Sequence, residues 1–239
     1  MGTLAKAHLL ALGDSHLEGL KLAADLGILD VASSSFSIVP GATVVGLRNP
    51  NSCTNAINIF RDSLENQPID SYVLIHLGEV DCGFVMWWRA EKHGEPIDMQ
   101  FQESIVGYKE FLNELLAKGF SRLCIAGASL PTILDGIELG AVANKRSEIR
   151  VSLRERTELT LEYNRALKGL ADKLGISYFD ITDAILDRSS NLTHDFFRNA
   201  DPYDHHLDKL KTVGIWASKC NAFVSGFLCH RHVTTRCSG

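Results

Sequence analysis

Residues 7–20 read AHLLALGDSHLEGL, an apolar run that becomes polar abruptly. The run has the length of a buried strand, and Asp14, Ser15 and His16 follow it directly. In open α/β sheets, ligands bind at the carboxyl ends of the strands, although polar residues at such turns also serve as helix caps. The stretch therefore predicts a strand, a turn and a helix, with candidate functional residues in the turn.

The composition is that of a soluble globular protein, because 45% of the 239 residues are hydrophobic and 22% are charged. The net charge of -5 gives no basic surface for nucleic acid or for an anionic membrane. The first apolar run is too short and too polar for a signal peptide or a membrane span, which predicts a cytoplasmic protein. In that compartment, the six scattered cysteines are expected to be thiols rather than disulfides.

Short apolar runs alternate with helical patterns along the whole chain. The runs predict strands at 7–13, 42–46, 71–78, 121–129 and 176–181. Ser52 is expected to cap a helix after the second strand, and Gly119 and Gly175 are expected to end later helices. The alternation predicts one domain over residues 1–239, a three-layer α/β/α sandwich with a five-stranded parallel sheet, and a flexible tail over 218–239.

Two segments, 83–100 and 130–147, fit neither pattern, and each follows a predicted strand. Because ligands bind at that edge of the sheet, we interpret both segments as loops that cover a substrate. Trp87 and Trp88 in the first loop can stack on a sugar or pack the loop onto the domain, and packing is favoured.

Ser15 is the candidate nucleophile, but a serine hydroxyl reacts only when a base removes its proton. The sequence has no G-x-S-x-G elbow, which argues against the α/β-hydrolase form of this chemistry. The candidate base lies near the other end of the chain, in a polar cluster that precedes a predicted helix. The cluster contains Asp201, Asp204, His205 and His206. Taken alone, such a cluster is more often a capped turn.

The stretch HLGEVDCG at 76–83 follows the most apolar strand and contains Glu79 and Asp81. Buried carboxylates cost desolvation energy unless they bind something. The two acids are therefore either functional or supporting residues of a site, or else capping residues, and the sequence leaves both interpretations open.

Four stretches, LGDSHLEG, GATVVGLRNPNS, HLGEVDCG and DHHLD, resemble the conserved blocks of the SGNH hydrolases, the GDSL-like esterase and lipase superfamily. They have the order and about the spacing of those blocks, and the resemblance covers residues 8 to about 217. It is strongest to a branch in which the third block reads G-E-x-D.

The resemblance implies a flavodoxin-like sandwich in which Ser15 is the nucleophile and His206 the general base. The backbone N–H groups of Ser15 and of Gly46, the best match to the second-block glycine, would bind the oxyanion. The implied reaction is hydrolysis or transfer of an acyl group, commonly acetyl, from an ester of a carbohydrate or other small molecule, without a metal or cofactor. Asp14, His16 and His205 are further candidates for substrate binding or support.

The sequence departs from the family pattern at two places. Val80 replaces the third-block asparagine, so its usual side-chain donor is missing, and an ionised Glu79 or Asp81 could not replace it. Tyr203 stands where the family has the aspartate three residues before the histidine. We favour Asp204 over Asp201 as the residue that orients the base, and a non-catalytic ligand-binding domain remains the alternative.

The sequence offers one candidate metal-ligand cluster, at the C-terminus. Cys229, His230, His232 and Cys237 can chelate a metal, but their spacing matches no familiar zinc pattern. We therefore expect a frayed terminus and no metal site there.

Overall fold

A parallel sheet of five strands, in the spatial order β2-β1-β3-β4-β5, forms the centre of the fold. The computed structural model describes residues 8–136 and 149–234. The strands are β1 (His8–Gly13), β2 (Ser33–Ile38), β3 (Tyr72–His76), β4 (Arg122–Ala126) and β5 (Ser177–Phe179). The chain adds β2 on one side of β1 and then β3, β4 and β5 on the other side. Doubly wound sheets bind their ligands at the point where this order switches, which here lies between β1 and β3.

Helices cover both faces of the sheet, as the prediction of three layers requires. The helices are α1 (Glu18–Asp25), α2 (Val44–Leu47), α3 (Ala56–Glu65), α4 (Met86–His93), α5 (Ile97–Ala117), α6 (Leu153–Leu174), α7 (Thr182–Ile185) and α8 (Lys209–Thr234). A two-stranded antiparallel ribbon, β6 (Leu186–Asp187) and β7 (Leu192–Thr193), follows α7.

The strand side chains divide between two hydrophobic clusters because successive residues of a strand point to opposite faces. Leu10 and Leu12 of β1 join a cluster with α3, α5 and α6. Leu9 and Ala11 join the opposite cluster, which α1 and α8 complete. The predicted sandwich is confirmed.

The second strand was predicted at 42–46, and this is wrong. Ser33–Ile38 forms β2, whereas Val44–Leu47 is a short helix that the Thr43 side chain caps. As an edge strand, β2 has one neighbour and is only partly buried, so it lacks the apolar run used to find strands. The predicted Ser52 cap is also wrong, because α3 begins at Ala56 and Asn55 precedes it in the left-handed conformation.

The segment 83–100 is not the loop that its sequence suggested. A π-helical turn at Asp81–Val85 continues into α4, and α5 begins at Ile97. The connection between the two helices is short and contains Gly94, whose φ of 67° ends α4. The apolar side chains of Met86–His93 stand mainly at its start, and a helix of eight residues is too short to repeat an apolar spacing. Of the second predicted loop, 130–147, residues 130–136 are irregular and the remainder lies outside the described residues.

Helix α8 corrects the prediction of a flexible tail that begins at residue 218. Cys220, Phe223 and Val224 are buried on the inner face of α8, so residues 218–227 belong to the domain. The candidate chelating side chains of the C-terminus lie outside the described side chains. None of the described helices is both long enough and apolar enough to cross a membrane.

Candidate active site

The turn after β1 places Ser15 at the carboxyl edge of the sheet. Gly13 approaches β3 so closely that a Cβ there would collide with the carbonyl oxygen of His76. The Asp14 N–H donates to the same oxygen over 3.3 Å, and the Asp14 carboxylate accepts from the His16 N–H over 2.9 Å. Asp14 therefore caps the 3-10 turn Ser15–Leu17 and fixes Ser15 as its first residue.

Ser15, His206 and Asp204 lie in one line of hydrogen bonds. His206 Nε2 is 2.8 Å from Ser15 Oγ, although the two residues are 191 positions apart in the chain. His206 Nδ1 is 2.6 Å from Asp204 Oδ1. A hydroxyl, an imidazole and a carboxylate in this order have the geometry of a nucleophile, a general base and the group that orients the base.

Asp204 is held by donors on both of its carboxylate oxygens. Oδ1 also accepts from the His206 N–H over 2.9 Å, and Oδ2 accepts from the Asn199 side chain over 2.7 Å. Burial by itself raises the pKa of the Asp204 carboxyl, but the hydrogen bonds from His206 outweigh it and lower that pKa below its ordinary value. Asp204 is therefore a carboxylate facing the ring of His206.

Asp201 occupies a different position, in an exposed turn. Its carboxylate accepts from the Tyr203 N–H over 2.9 Å, and its carbonyl accepts from the Asp204 N–H over 3.1 Å. Of the two aspartates considered from the sequence, the structure brings Asp204 to the histidine and uses Asp201 to close the preceding turn. Asn199, which the sequence analysis missed, carries no motif signal, because an isolated asparagine in a loop is common.

A second group of polar side chains is buried beneath the nucleophile. His16 Nδ1 lies 3.1 Å from Asp14 Oδ1, and His16 Nε2 lies 3.5 Å from Glu79 Oε2. All three side chains are almost completely buried. Burial raises the pKa of the Asp14 carboxyl, but the adjacent His16 more than compensates, so the pKa is lowered. His16 points inward between two acids, not outward from the turn.

His205 and His206 complete a cluster of three imidazole rings with His16. The ring centroids of His205 and His206 are 4.0 Å apart, and those of His16 and His206 are 4.7 Å apart. His16 and His205 meet edge to face at 5.3 Å. The sequence named all three residues but gave no indication that their rings form one group.

Asp81 supports the turn that follows β2 instead of facing the nucleophile. Its carboxylate accepts from the Val44 N–H over 2.9 Å and from the Val45 N–H over 3.5 Å. Complete burial raises the pKa of Asp81 to about 6, although these two N–H groups act in the opposite direction. Asp81 therefore ties the end of β3 to the start of α2.

The predicted oxyanion role of Gly46 conflicts with its hydrogen bond. The Gly46 N–H donates to Thr43 Oγ1 over 3.0 Å, as part of the cap of α2. Val80 stands at the position of the family asparagine. Its side chain is buried and has no polar atom, and its backbone is helical. The Gly46 N–H is thus already bonded to Thr43, the Val80 side chain has no donor, and the oxyanion role of Gly46 stays a prediction.

Trp87 and Trp88 make local contacts in the segment after β3. The Trp87 indole N–H donates to the Cys82 carbonyl over 2.7 Å, and the Trp88 ring meets His93 edge to face at 5.1 Å. Both side chains are half-buried. These contacts fit the packing interpretation, and a role in substrate stacking stays a prediction.

His76, at the end of β3, is a buried histidine that the sequence analysis did not single out. Its Nδ1 lies 3.2 Å from the Ala126 carbonyl oxygen, its Nε2 lies 3.3 Å from Ser129 Oγ, and its ring packs against Trp216. Burial lowers the pKa of His76, so the ring is neutral. The available signal was a polar residue at the end of an otherwise apolar strand.

Comparisons with known proteins give a match in structure. A scan against protein-family models found no match, and neither did a search of curated proteins. Among solved structures, a carbohydrate acetylesterase from Sinorhizobium meliloti is similar with 15% identity and a TM-score of 0.57, over 92% of this chain and 99% of that one. An acetylxylan esterase from Geobacillus stearothermophilus is similar with 13% identity and a TM-score of 0.55, over 94% and 96%.

A GDSL-like lipase from Bacteroides thetaiotaomicron is also similar, with 13% identity and a TM-score of 0.54, over 92% of this chain and 88% of that one. The chain thus has the fold of GDSL-type esterases and lipases over nearly its whole length. At these identities the likeness concerns the fold, and function has to be argued from the site.

Proposed function

We propose that this chain is an SGNH-type serine ester hydrolase that acts through a covalent acyl-enzyme. The observation that carries the proposal is the line from Ser15 Oγ to His206 Nε2, at 2.8 Å, and from His206 Nδ1 to Asp204 Oδ1, at 2.6 Å. The two ends of the chain meet to form this arrangement, which a pair of unrelated helix caps would not require.

In the proposed reaction, Ser15 Oγ attacks the acyl carbon while His206 Nε2 takes the serine proton. Asp204 keeps the proton of Nδ1 in place and stabilises the imidazolium that forms. The tetrahedral intermediate breaks its bond to the leaving alcohol, which takes the proton from His206. Water then attacks the acyl-serine by the same steps in reverse, and a hydroxyl of a second substrate in place of water would give acyl transfer.

The oxyanion of the intermediate needs backbone donors, since Val80 offers none. Ser15 begins a 3-10 turn, where N–H groups have no acceptor within the helix. A second donor can come from the turn between β2 and α2. The Val39 N–H of that turn donates to the Gly13 carbonyl over 2.9 Å, so the turn starts beside the nucleophile. In α2, which follows this turn, the Gly46 N–H could serve only if it left Thr43 Oγ1.

We further propose that the substrate is an acyl ester of a carbohydrate or another small molecule, and that the acyl group is acetyl. The support is indirect: two proteins of the same fold are described as a carbohydrate acetylesterase and an acetylxylan esterase. A panel of p-nitrophenyl esters of increasing acyl length, with and without sugar acceptors, tests both the acyl group and the choice between water and a hydroxyl.

Labelling with a fluorophosphonate tests the nucleophile, because only a serine activated by a base reacts quickly. We expect mass spectrometry to find the label on Ser15, and we expect Ser15→Ala and His206→Ala to abolish it. Ser189→Ala is the matched control, since the Ser189 hydroxyl is bonded to a carboxylate, that of Asp187, but to no histidine. Unchanged labelling of Ser15→Ala would refute the assignment.

The alternative is a ligand-binding domain that has the fold but lacks efficient catalysis. Val80 in place of the family asparagine favours it, because one oxyanion donor is worth about 10²–10³ in turnover. Absence of label on the folded wild-type chain, together with binding of a sugar ester, would support this alternative.

A further inference from the structure

The imidazole rings of His16 and His205 lie against the ring of His206, which is hydrogen-bonded to the Ser15 hydroxyl. One ring nitrogen from each of His16, His205 and His206 can be chosen so that all three lie within 4.8 Å of one another. His16 is buried, whereas His205 and His206 are half-buried. The general base of the proposed reaction therefore belongs to a larger group of nitrogen ligands.

We propose that His16, His205 and His206 bind a divalent transition metal such as Zn²⁺, and that the bound metal reversibly inhibits the enzyme. Imidazole nitrogen is a preferred ligand of zinc, copper and nickel. The inhibition rests on the proposed function, because it acts through the base, whereas the binding itself does not depend on that function.

Two of the histidines already have the surroundings of metal ligands. Asp14 lies on the Nδ1 side of His16 and Asp204 lies on the Nδ1 side of His206. Metal-bound histidines commonly donate their other ring N–H to a carboxylate in this way, which fixes the tautomer and raises the basicity of the ligand nitrogen. In both residues Nε2 is then the atom that binds the metal.

Acidic side chains lie beside the proposed ligands. Glu79 Oε2 is 3.5 Å from His16 Nε2, and Asp14 Oδ1 is 3.1 Å from His16 Nδ1. Asp14, Glu79 and Asp204 together bring three carboxyl groups that offset the charge of a dication.

The geometry requires a limited closure of the rings. In a tetrahedral site with Zn–N bonds of about 2.0–2.1 Å, ligand nitrogens are about 3.4 Å apart. His205 and His206 are half-buried, so rotation of their side chains can bring the nitrogens together. Water would occupy the fourth position.

The bound metal would stop the reaction by occupying the base. The lone pair of His206 Nε2 that accepts the Ser15 proton is the same lone pair that would bind the metal. Coordination forms a metal–nitrogen bond and breaks the hydrogen bond to Ser15 Oγ, so the hydroxyl loses its activation. No bond of the substrate changes, and removal of the metal restores the free base.

Calorimetric titration of the chelator-treated protein with Zn²⁺ tests the site without reference to turnover. We expect one Zn²⁺ per chain in the micromolar range, also in Ser15→Ala. His205→Ala should weaken binding at least tenfold, and His16→Ala should do the same if it folds. His93→Ala is the matched control, because His93 is exposed and outside the cluster. Binding that is absent, or equal in His205→Ala and wild type, overturns the proposal.

A second arm measures inhibition of ester hydrolysis, with each variant compared with its own metal-free rate. We expect exhaustive chelation to leave the rate intact, added Zn²⁺ to suppress it, and the half-inhibitory concentration to rise at least tenfold in His205→Ala but not in His93→Ala. A chain that binds zinc as expected but never hydrolyses esters refutes the proposed function and leaves the metal site standing. A chain that hydrolyses esters equally with and without Zn²⁺ refutes the inhibitory site alone.

Discussion

Asp204 shows at the residue scale how a side chain two positions before the histidine can orient it. Its carboxylate bonds both the backbone N–H and the ring of His206, and Asn199 holds the other oxygen. This compact loop replaces the more usual spacing of three, at which Tyr203 stands with an exposed side chain. The carboxylate thus reaches Nδ1 from within the loop that precedes α8.

Replacement of Asp204 by Asn should lower kcat for ester hydrolysis by on the order of 10³–10⁴, because an amide stabilises the wrong tautomer and not the imidazolium. The thermal transition should change little, since Asp204 is a half-exposed loop residue. Asp201→Asn, a matched change in the adjacent turn, should stay within about twofold of the wild-type kcat. A larger loss of kcat in Asp201→Asn than in Asp204→Asn, measured by steady-state kinetics, would contradict this assignment of the orienting carboxylate.

Asp81 gives a prediction about pH. Its pKa in the folded protein, about 6, lies above the ordinary value of 3.8, so the native state keeps a proton that the unfolded chain releases. This group therefore stabilises the fold fully below about pH 4, and the contribution disappears as the pH rises to about 6, by up to about 3 kcal/mol.

Asp81→Asn cannot titrate and should remove that part of the pH dependence. Urea unfolding at several pH values between 4 and 7 would show a free-energy difference between wild type and variant that changes across this interval. The other titrating groups are the same in both proteins and cancel in the comparison. A difference that stays constant with pH would mean that Asp81 does not titrate there.

At the scale of elements, α8 is the part of the fold that differs most from its sequence-based description. It packs on α1 and on the sheet through an inner stripe in which Phe223 meets Tyr72 edge to face at 5.5 Å. Its outer side includes Leu210, which is 72% exposed. The helix is therefore a layer of the sandwich and covers the strands that end at the candidate site.

Phe223→Ala should lower the free energy of unfolding by about 3–5 kcal/mol, because it leaves a cavity under α8. Leu210→Ala, a truncation on the exposed side of the same helix, should change it by no more than about 0.5 kcal/mol. Urea denaturation curves of both variants would check this. Equal and small effects would indicate that the C-terminal segment is not part of the folded domain.

The elements that sequence predicts well are those buried on both faces. β3 and β4 contain continuous apolar runs, and α5 and α6 have apolar residues at helical spacing. The local sequence pattern therefore predicts which residues of these elements are buried. β2 was misplaced because an edge strand with four serines has no such pattern. Ser15 and His206 were predicted from motifs, and the structure brings their side chains together. The bond of Gly46 to Thr43 and the contact of Asn199 with Asp204 depend on loop geometry that no spacing encodes.

At the scale of the whole molecule, the site exists only in the complete fold. Ser15 follows β1 and His206 precedes α8, so the sheet and the helical layer that contains α8 must be in place together. Two-state unfolding would then remove every part of the site at once.

Fluorophosphonate labelling of Ser15 and the global unfolding transition should therefore have the same midpoint in urea. Labelling rates and intrinsic tryptophan fluorescence, measured on the same samples, would check this, and Trp216 in the core reports the folded state. Loss of labelling well before the fluorescence change would show that the loop with His206 opens independently of the domain.

The distance in sequence between Ser15 and His206 also has a consequence for biosynthesis. A ribosome adds about 5–20 residues per second, so the 191 residues that separate the two positions take roughly 10–40 s to make. In the proposed mechanism, the nascent serine lacks its general base throughout that interval. The growing chain would remain chemically inert toward cellular esters, and its reactivity would appear only when the last layer of the fold docks.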